Sequence, residues 1–208
     1  MPLEETISAL TDLVHQGKVR YIGVSNFTGW QLMKALSVSE IKGFERFVSL
    51  QPQYSLVERN IEREVLPACR EEGLGVIPWS PLGGGFLLGK YRRGEEPPED
   101  SCIAGASDGM EEAWTRRAVG RNWRTLDVID EISSETGKSY AQIALNWLLR
   151  QEGVMTAPII GARRLDQLED NLGATGWELS EEQVTRLSDV SAIEDVYPYR
   201  FIREMQRV

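Results

Sequence analysis

Four short apolar runs, each followed by an amphipathic helical pattern and none joined to the next by a hairpin turn, leave this chain few folds to choose from. The runs are Tyr21–Val24, Phe47–Gln51, Gly75–Trp79 and Thr156–Ile160. Parallel strands need a crossover of a dozen or more residues between them, and a strand–helix alternation supplies it, so the pattern predicts an α/β fold with a parallel sheet. The helices carry their own punctuation. Ile7, Leu10 and Val14 share one face of a first helix that Gly17 closes in the left-handed conformation. Thr28 with Gln31, Ser139 with Gln142 and Ser180 with Gln183 have the spacing of capping boxes.

A helix from near Asn60 is expected to carry Ile61, Val65, Leu66 and Cys69 inward, to kink at Pro67 and to stop at Gly73. Tyr140, Ile143, Ala144, Trp147 and Leu148 make a 3.6-residue stripe. A later helix bears Leu165, Leu168 and Leu172 and closes at Gly173, and a last one runs over about 180–190. Residues 91–109, with Glu95-Glu96-Pro97-Pro98-Glu99-Asp100 at their centre, read as a long exposed loop, and helices resume around Glu111.

The third strand leads into Ser80-Pro81-Leu82-Gly83-Gly84-Gly85-Phe86-Leu87-Leu88-Gly89-Lys90. An apolar run ending in the aromatic Trp79, opening into glycines and closed by a lysine, suits a cofactor with phosphates and a stacking ring at the end of a strand. In α/β sheets the ligand lies at the carboxyl ends of the strands. The residues leaving the four strands are Ser25 and Asn26, then Gln51, then Trp79 and Ser80, then Gly161 with Arg163 and Arg164. Together they offer amide donors and acceptors around an aromatic face, which suits a nicotinamide. Arg163 and Arg164 open a helix whose dipole already attracts an anion, and a 2'-phosphate or pyrophosphate there would account for both arginines and the glycine run.

The formal charge of -9 over 208 residues argues against nucleic acid or an anionic membrane surface as partner. Cys69 and Cys102 match no metal or redox spacing and read as free thiols in a reducing compartment. The opening residues are acidic where a signal peptide is basic, and prolines and glycines break the one long apolar run, so the expected location is cytoplasmic. His15, the only histidine, falls in the last turn of the first helix, where the dipole favours it without any catalytic role. Glu4-Glu5, Glu111-Glu112 and Glu181-Glu182 sit at helix starts for the same reason and form no carboxylate dyad. Trp114 and Trp123 fit a core or a substrate mouth equally.

The segments Gly17–Phe27, Gln51–Leu56, Trp79–Leu82 and Gly161–Asn171 resemble the aldo-keto reductase family, nearest to the branch of bacterial general reductases and potassium-channel β subunits. The resemblance implies a (β/α)8 TIM-type barrel that binds NADP(H) in extended form and reduces aldehydes or ketones by hydride transfer. It implies that Ser25, Asn26 and Gln51 hold the carboxamide and that Trp79 stacks on the nicotinamide. By the same matching Ser80, Pro81, Leu82, Gly84 and Lys90 follow the pyrophosphate, Gly161, Arg163 and Gln167 the 2'-phosphate end, and Asp170 with Asn171 the adenine. Asp170 stands where the family often has the longer glutamate, and Cys102 where relatives commonly carry an arginine in the loop that straps the cofactor.

Pro2–Thr6 resembles the segment just after the fourth strand of the family's barrel. The chain is therefore expected to hold one half-barrel domain over 1–208, about four parallel strands with their helices, and to lack the catalytic tyrosine with its lysine, aspartate and histidine partners. Carbonyl reduction without a positioned acid forgoes about 10²- to 10⁴-fold. Two uncovered sheet edges predict self-association or an N-terminal half-barrel partner, with a carbonyl substrate taken only once that half is supplied. The alternatives are a non-catalytic NADP-binding or regulatory module, as in channel β subunits, and an inactive fragment.

Overall fold

In a computed structural model the described residues are 2–99, 101, 103, 104, 106, 110, 113–151 and 157–205. Cys102 and the Glu111-Glu112 pair lie outside them. The helix α1 (Leu3–His15) leads to β1 (Ile22–Ser25), α2 (Gly29–Lys42) and β2 (Phe47–Gln51). A 3-10 turn at Asn60–Glu62 precedes α3 (Val65–Glu71) and the two-residue β3 (Gly75–Val76). A second 3-10 segment, Gly83–Leu88, is followed by α4 (Trp114–Arg117), α5 (Gly120–Thr136), α6 (Tyr140–Leu149), α7 (Leu165–Leu172), α8 (Glu181–Val190) and α9 (Tyr199–Met205).

The strands pair parallel in the order β1-β2-β3, with Val24 opposite Leu50 and Leu50 opposite Val76. Among the described residues the sheet thus has three strands where four were expected. Ala157–Ile160 forms no strand and touches the sheet through one backbone bond, Ile159 N–H to Pro78 O at 2.8 Å, while Thr156 lies outside the described residues. Pro78 and Pro158 face this pairing from both sides, and neither can donate to a ladder. Pro78 also shortens β3. Beyond Val76 the chain keeps the bonds Ile77 N–H to Leu50 O and Trp79 N–H to Pro52 O, both 2.9 Å, and Tyr54 N–H to Trp79 O at 3.5 Å.

The other departures have local causes. Pro67 does not kink a helix. The chain breaks instead at Arg63–Glu64, and Pro67 becomes the third residue of α3, where a missing N–H costs no intrahelical bond. The three capping boxes form: Gln31 Oε1 accepts from Thr28 N–H at 3.0 Å, Ser139 Oγ from Gln142 N–H at 3.1 Å and Ser180 Oγ from Gln183 N–H at 3.2 Å. His15 ends α1 with Nε2 3.6 Å from a Glu45 carboxylate oxygen, both exposed. Gly17 closes that helix at φ 69°.

The core runs from Ile7 through Leu32, Leu50, Tyr54 and Val76 to Ile129, Ile143, Trp147 and Leu187. Trp114 and Trp123 belong to it rather than to a substrate mouth. Both pack on Phe86, with ring centroids 6.2 and 4.9 Å away, and Trp114 also packs on Tyr91. The expected exposed loop is correspondingly anchored, since Tyr91 and Ile103 are buried. Cys69 is buried as well, and desolvation pushes its thiol up to about 11, so it stays protonated and unreactive at neutral pH.

Two surfaces stay uncovered. On β1 the buried Ile22 and Val24 alternate with exposed Gly23 and Ser25, and on β2 Phe47 and Leu50 are buried while Val48 and Gln51 are exposed, although parallel sheets are ordinarily covered on both faces. Leu165, Leu168 and Leu172 of α7 are 69%, 38% and 55% exposed, so a stripe that reads as core faces outward. Among the described residues no helix is long and apolar enough to cross a membrane.

Candidate functional site

At the carboxyl end of the sheet two adjacent residues part company. Ser80 lines a pocket of about 610 Å³ between the glycine loop and the segment Ile159–Asn171, whereas Trp79 lines a second pocket of about 710 Å³ shared with Asn26. The first pocket gathers ten of the expected site residues: Ser80, Pro81, Leu82, Gly84, Lys90, Gly161, Arg163, Gln167, Asp170 and Asn171. Gly85, Leu88, Ser101, Ile159, Ile160 and Ala162 complete its wall and were not expected. For Gly85 the signal was present in the glycine triplet. The two isoleucines read only as a strand.

The glycine loop curls into a cradle whose own N–H groups are used within it. Gly83, Gly84 and Gly85 all take left-handed φ, 59°, 67° and 87°, and Gly85 N–H donates to Leu82 O at 3.0 Å. Ser80 starts the turn, its Oγ accepting from Gly84 N–H at 3.0 Å and its carbonyl from Gly83 N–H at 2.9 Å. A Cβ on Gly85 would stand 3.5 Å from Lys90 Nζ, so the ammonium closes over the cradle. Across the pocket Arg163 N–H is held by Gln167 Oε1 at 2.9 Å, and Asn171 Nδ2 donates to Gly161 O at 3.5 Å. Asp170 accepts from Gln142 Nε2 at 3.0 Å, which fixes one carboxylate oxygen from α6. Arg164 does not face the pocket. It grips Asp166 through Nε and Nη2 at 2.9 and 2.8 Å, an exposed pair whose hydrogen bond holds the Asp166 carboxyl below its usual range.

Ser25, Asn26, Gln51 and Trp79 form a bonded row across the three strand ends. Trp79 Nε1 donates to Asn26 Oδ1 at 2.9 Å, and Ser25 Oγ and Asn26 N–H both donate to the Gln51 carbonyl, at 2.9 and 3.3 Å. Ser25 and Gln51 line neither pocket and lie on the exposed side of the sheet. Among the described residues the only non-glycine positions with positive φ are Asn26 (56°) and Ser80 (52°), both in this site. Such backbone costs about 1–3 kcal/mol and concentrates where a binding geometry must be held. Sequence spacing carries no signal for it.

A model of the Aldo/keto reductase family matches residues 1–192. The uncharacterized oxidoreductase YrpG of Bacillus subtilis is 39% identical over 189 residues, covering 91% of this chain and 54% of its own length. Protein tas of Escherichia coli is 33% identical over 95% of this chain and 54% of its own length. A crystal structure of a thermostable aldo-keto reductase with the inhibitor epalrestat superposes with a TM-score of 0.66 at 31% identity, covering 91% of this chain and 55% of that one. The chain spans about half the length of the relatives it matches. Its parallel strands and helices are of the TIM-barrel type found in that structure. On the family model and these relatives together, the chain belongs to the aldo/keto reductase family.

Proposed function

We propose that the chain is the NADP(H)-binding part of a reductase acting on aldehydes or ketones. The observation that carries this is that the adjacent residues Trp79 and Ser80 line two different pockets, the one at Ser80 walled by the glycine loop, Lys90 and Arg163 and the one at Trp79 holding the aromatic–amide pair with Asn26. The residues fit an extended dinucleotide. Lys90 and Arg163 suit the phosphates, Gln167, Asp170 and Asn171 the adenosine end, and Trp79 with Asn26 the carboxamide-bearing ring. Bound there, the nicotinamide supplies a hydride to the carbonyl carbon. Asn26 orients the Trp79 ring through its indole N–H, and the left-handed turn at Ser80 passes the chain from the ring to the phosphates.

Reduction also needs a proton on the carbonyl oxygen, and three of the six tyrosines of this chain are committed elsewhere, while Tyr91 is buried in the core and Tyr21 and Tyr197 line neither pocket. Tyr54 donates to Glu62 at 2.6 Å and burial pushes its pKa upward. Tyr140 donates to Asp130, and burial with that bond takes it up to about 12. Tyr199 donates to Glu64 at 2.7 Å. In this reading the acid comes from an N-terminal half-barrel, which also covers Gly23, Ser25, Val48 and Gln51, and without it the chain associates with itself and turns nothing over.

Calorimetry tests this directly. NADPH binds the chain more tightly than NADH, and Lys90→Met weakens NADPH about 10- to 100-fold, as losing a charge-assisted contact does. Turnover of an aldehyde appears only when an N-terminal half-barrel is added. Equal affinity for the two coenzymes, or unaided turnover, overturns the proposal, while tight binding with no turnover even in the presence of that half supports a regulatory module instead.

A further inference from the structure

The two open edges of the sheet are complementary in charge and both carry apolar side chains. Among the described residues β1 is paired on one side only, and the backbone groups of its outer side are a template for another chain. The residues entering it, Lys18, Val19, Arg20 and Tyr21, are all exposed, and no carboxylate lies between Gln16 and Phe27. At the far edge stands the run Ala157–Ile160 beside Pro78, with Ile159 exposed, and α7 follows it. There the exposed side chains are Leu165, Leu168 and Leu172 together with the carboxylates of Asp166 and Glu169.

The accessible surface is also large for the mass. A compact monomer of 23.5 kDa exposes about 9,800 Å², and this chain exposes 12182 Å², an excess of about 2,400 Å². Two copies that bury the excess hide about 4,800 Å² between them, within the span of about 2,000–5,000 Å² that obligate dimers bury.

We infer that a second copy of this chain closes the open side about a two-fold axis parallel to the strands, with β1 of each copy against the Ala157–Ile160 run and α7 of the other. Such an axis keeps every strand parallel and makes the two contacts identical, so association stops at two copies. Each copy brings three strands and one further run, and the pair reaches eight, the number at which a parallel sheet closes on an interior filled by side chains. A right-handed crossover lays α7 over the strand that comes next, here the partner's β1. The helix runs back along the strands, so its carboxyl half, with Glu169 and Leu172, comes level with the partner's Arg20 and the partner's Tyr21. This rests on the reading above, in which an N-terminal half-barrel takes the same side; a second copy takes it when that half is absent.

Sedimentation equilibrium of the full chain without coenzyme tests this apart from NADPH binding. The wild-type chain sediments as a dimer. Arg20→Glu and Glu169→Arg each create two like-charge contacts in that dimer and raise its Kd at least about tenfold, as does Leu172→Glu by placing a charge among apolar groups. An equal mixture of the Arg20→Glu and Glu169→Arg chains regains the dimer, because each contact in the mixed pair again joins opposite charges. The mixture also guards against misfolding, since a chain that does not fold is not rescued by another. Adding an N-terminal half-barrel converts the dimer to a one-to-one complex. A monomeric wild-type chain overturns the assignment, and so does growth past two copies with concentration, which means edges that never close. Absence of recovery in the mixture, or a dimer that persists with the N-terminal half bound, overturns it as well. A dimer that behaves as described and binds no NADPH defeats the coenzyme reading alone.

Discussion

Arg59→Met is expected to lower the stability of the chain by about 3–5 kcal/mol, the usual consequence of removing one partner from a buried ion pair. Its side chain is 11% exposed and Glu62 is 25% exposed, so neither charge is well screened by water. Arg59 donates to both Glu62 oxygens, at 2.7 and 2.9 Å, to Ser191 Oγ at 2.8 Å and to the Ser188 carbonyl, and its guanidinium lies 5.2 Å from the Trp147 ring. The same group therefore neutralises Glu62, satisfies the carboxyl end of α8 and covers the largest core aromatic. Removing it leaves Glu62 with the Tyr54 hydroxyl and no cation. The urea midpoint falls with an unchanged slope, and the double change Arg59→Met with Glu62→Leu recovers part of the loss because no lone charge stays behind. A cost below about 1 kcal/mol would mean that the pair behaves as a surface salt bridge.

This network also marks a limit of what the chain reveals unfolded. Arg59 and Ser191 are separated by 132 positions, and nothing in the local pattern around either suggests the other. The capping boxes at Thr28, Ser139 and Ser180 were legible because their chemistry closes within four residues. The first two strands were legible to within a residue because their apolar faces are local. The fourth run was not, since Ala157–Ile160 has strand composition but Pro158 in it and Pro78 opposite remove donors from the ladder. Periodicity placed Leu165, Leu168 and Leu172 on one face of α7 and said nothing of what lies against that face. The short helix α9 escaped because Tyr199, Phe201, Ile202 and Met205 are interleaved with charges and mostly stay exposed.

In the candidate site the residue types were legible and their division between two pockets was not. The glycine triplet, Lys90 and the residues from Gly161 to Asn171 come together around one concavity, as their places at strand ends suggest. Gln53 and Arg63, in the wall of the Trp79 pocket, were missed, because a glutamine beside a strand end and an arginine in a charged loop are unremarkable in sequence. The outward turn of Arg164 likewise depends on Asp166 two residues on, a pairing that competes with any anion for the guanidinium.

Gly83→Ala joins core and site in one measurement. Its φ of 59° costs a side chain about 1–2 kcal/mol, and a Cβ there would stand 2.6 Å from Val57 Cγ2. Val57 is itself 2% exposed and cannot swing into solvent, so the clash adds overpacking of about 1–3 kcal/mol, for a total loss of about 2–5 kcal/mol. The glycine loop yields before the core does, because Gly84 and Gly85 beside it are free to change conformation while Val57 is held on all sides. Coenzyme affinity should therefore fall with stability. Trimming the neighbour separates the two contributions: Val57→Ala has its own cavity cost but relieves the contact, so the double variant loses less stability than the sum of the two single losses and regains most of its NADPH binding. A double variant no more stable than the sum of the two single losses would show that the left-handed turn, and not the packing of Val57 beneath it, is what holds the cradle open.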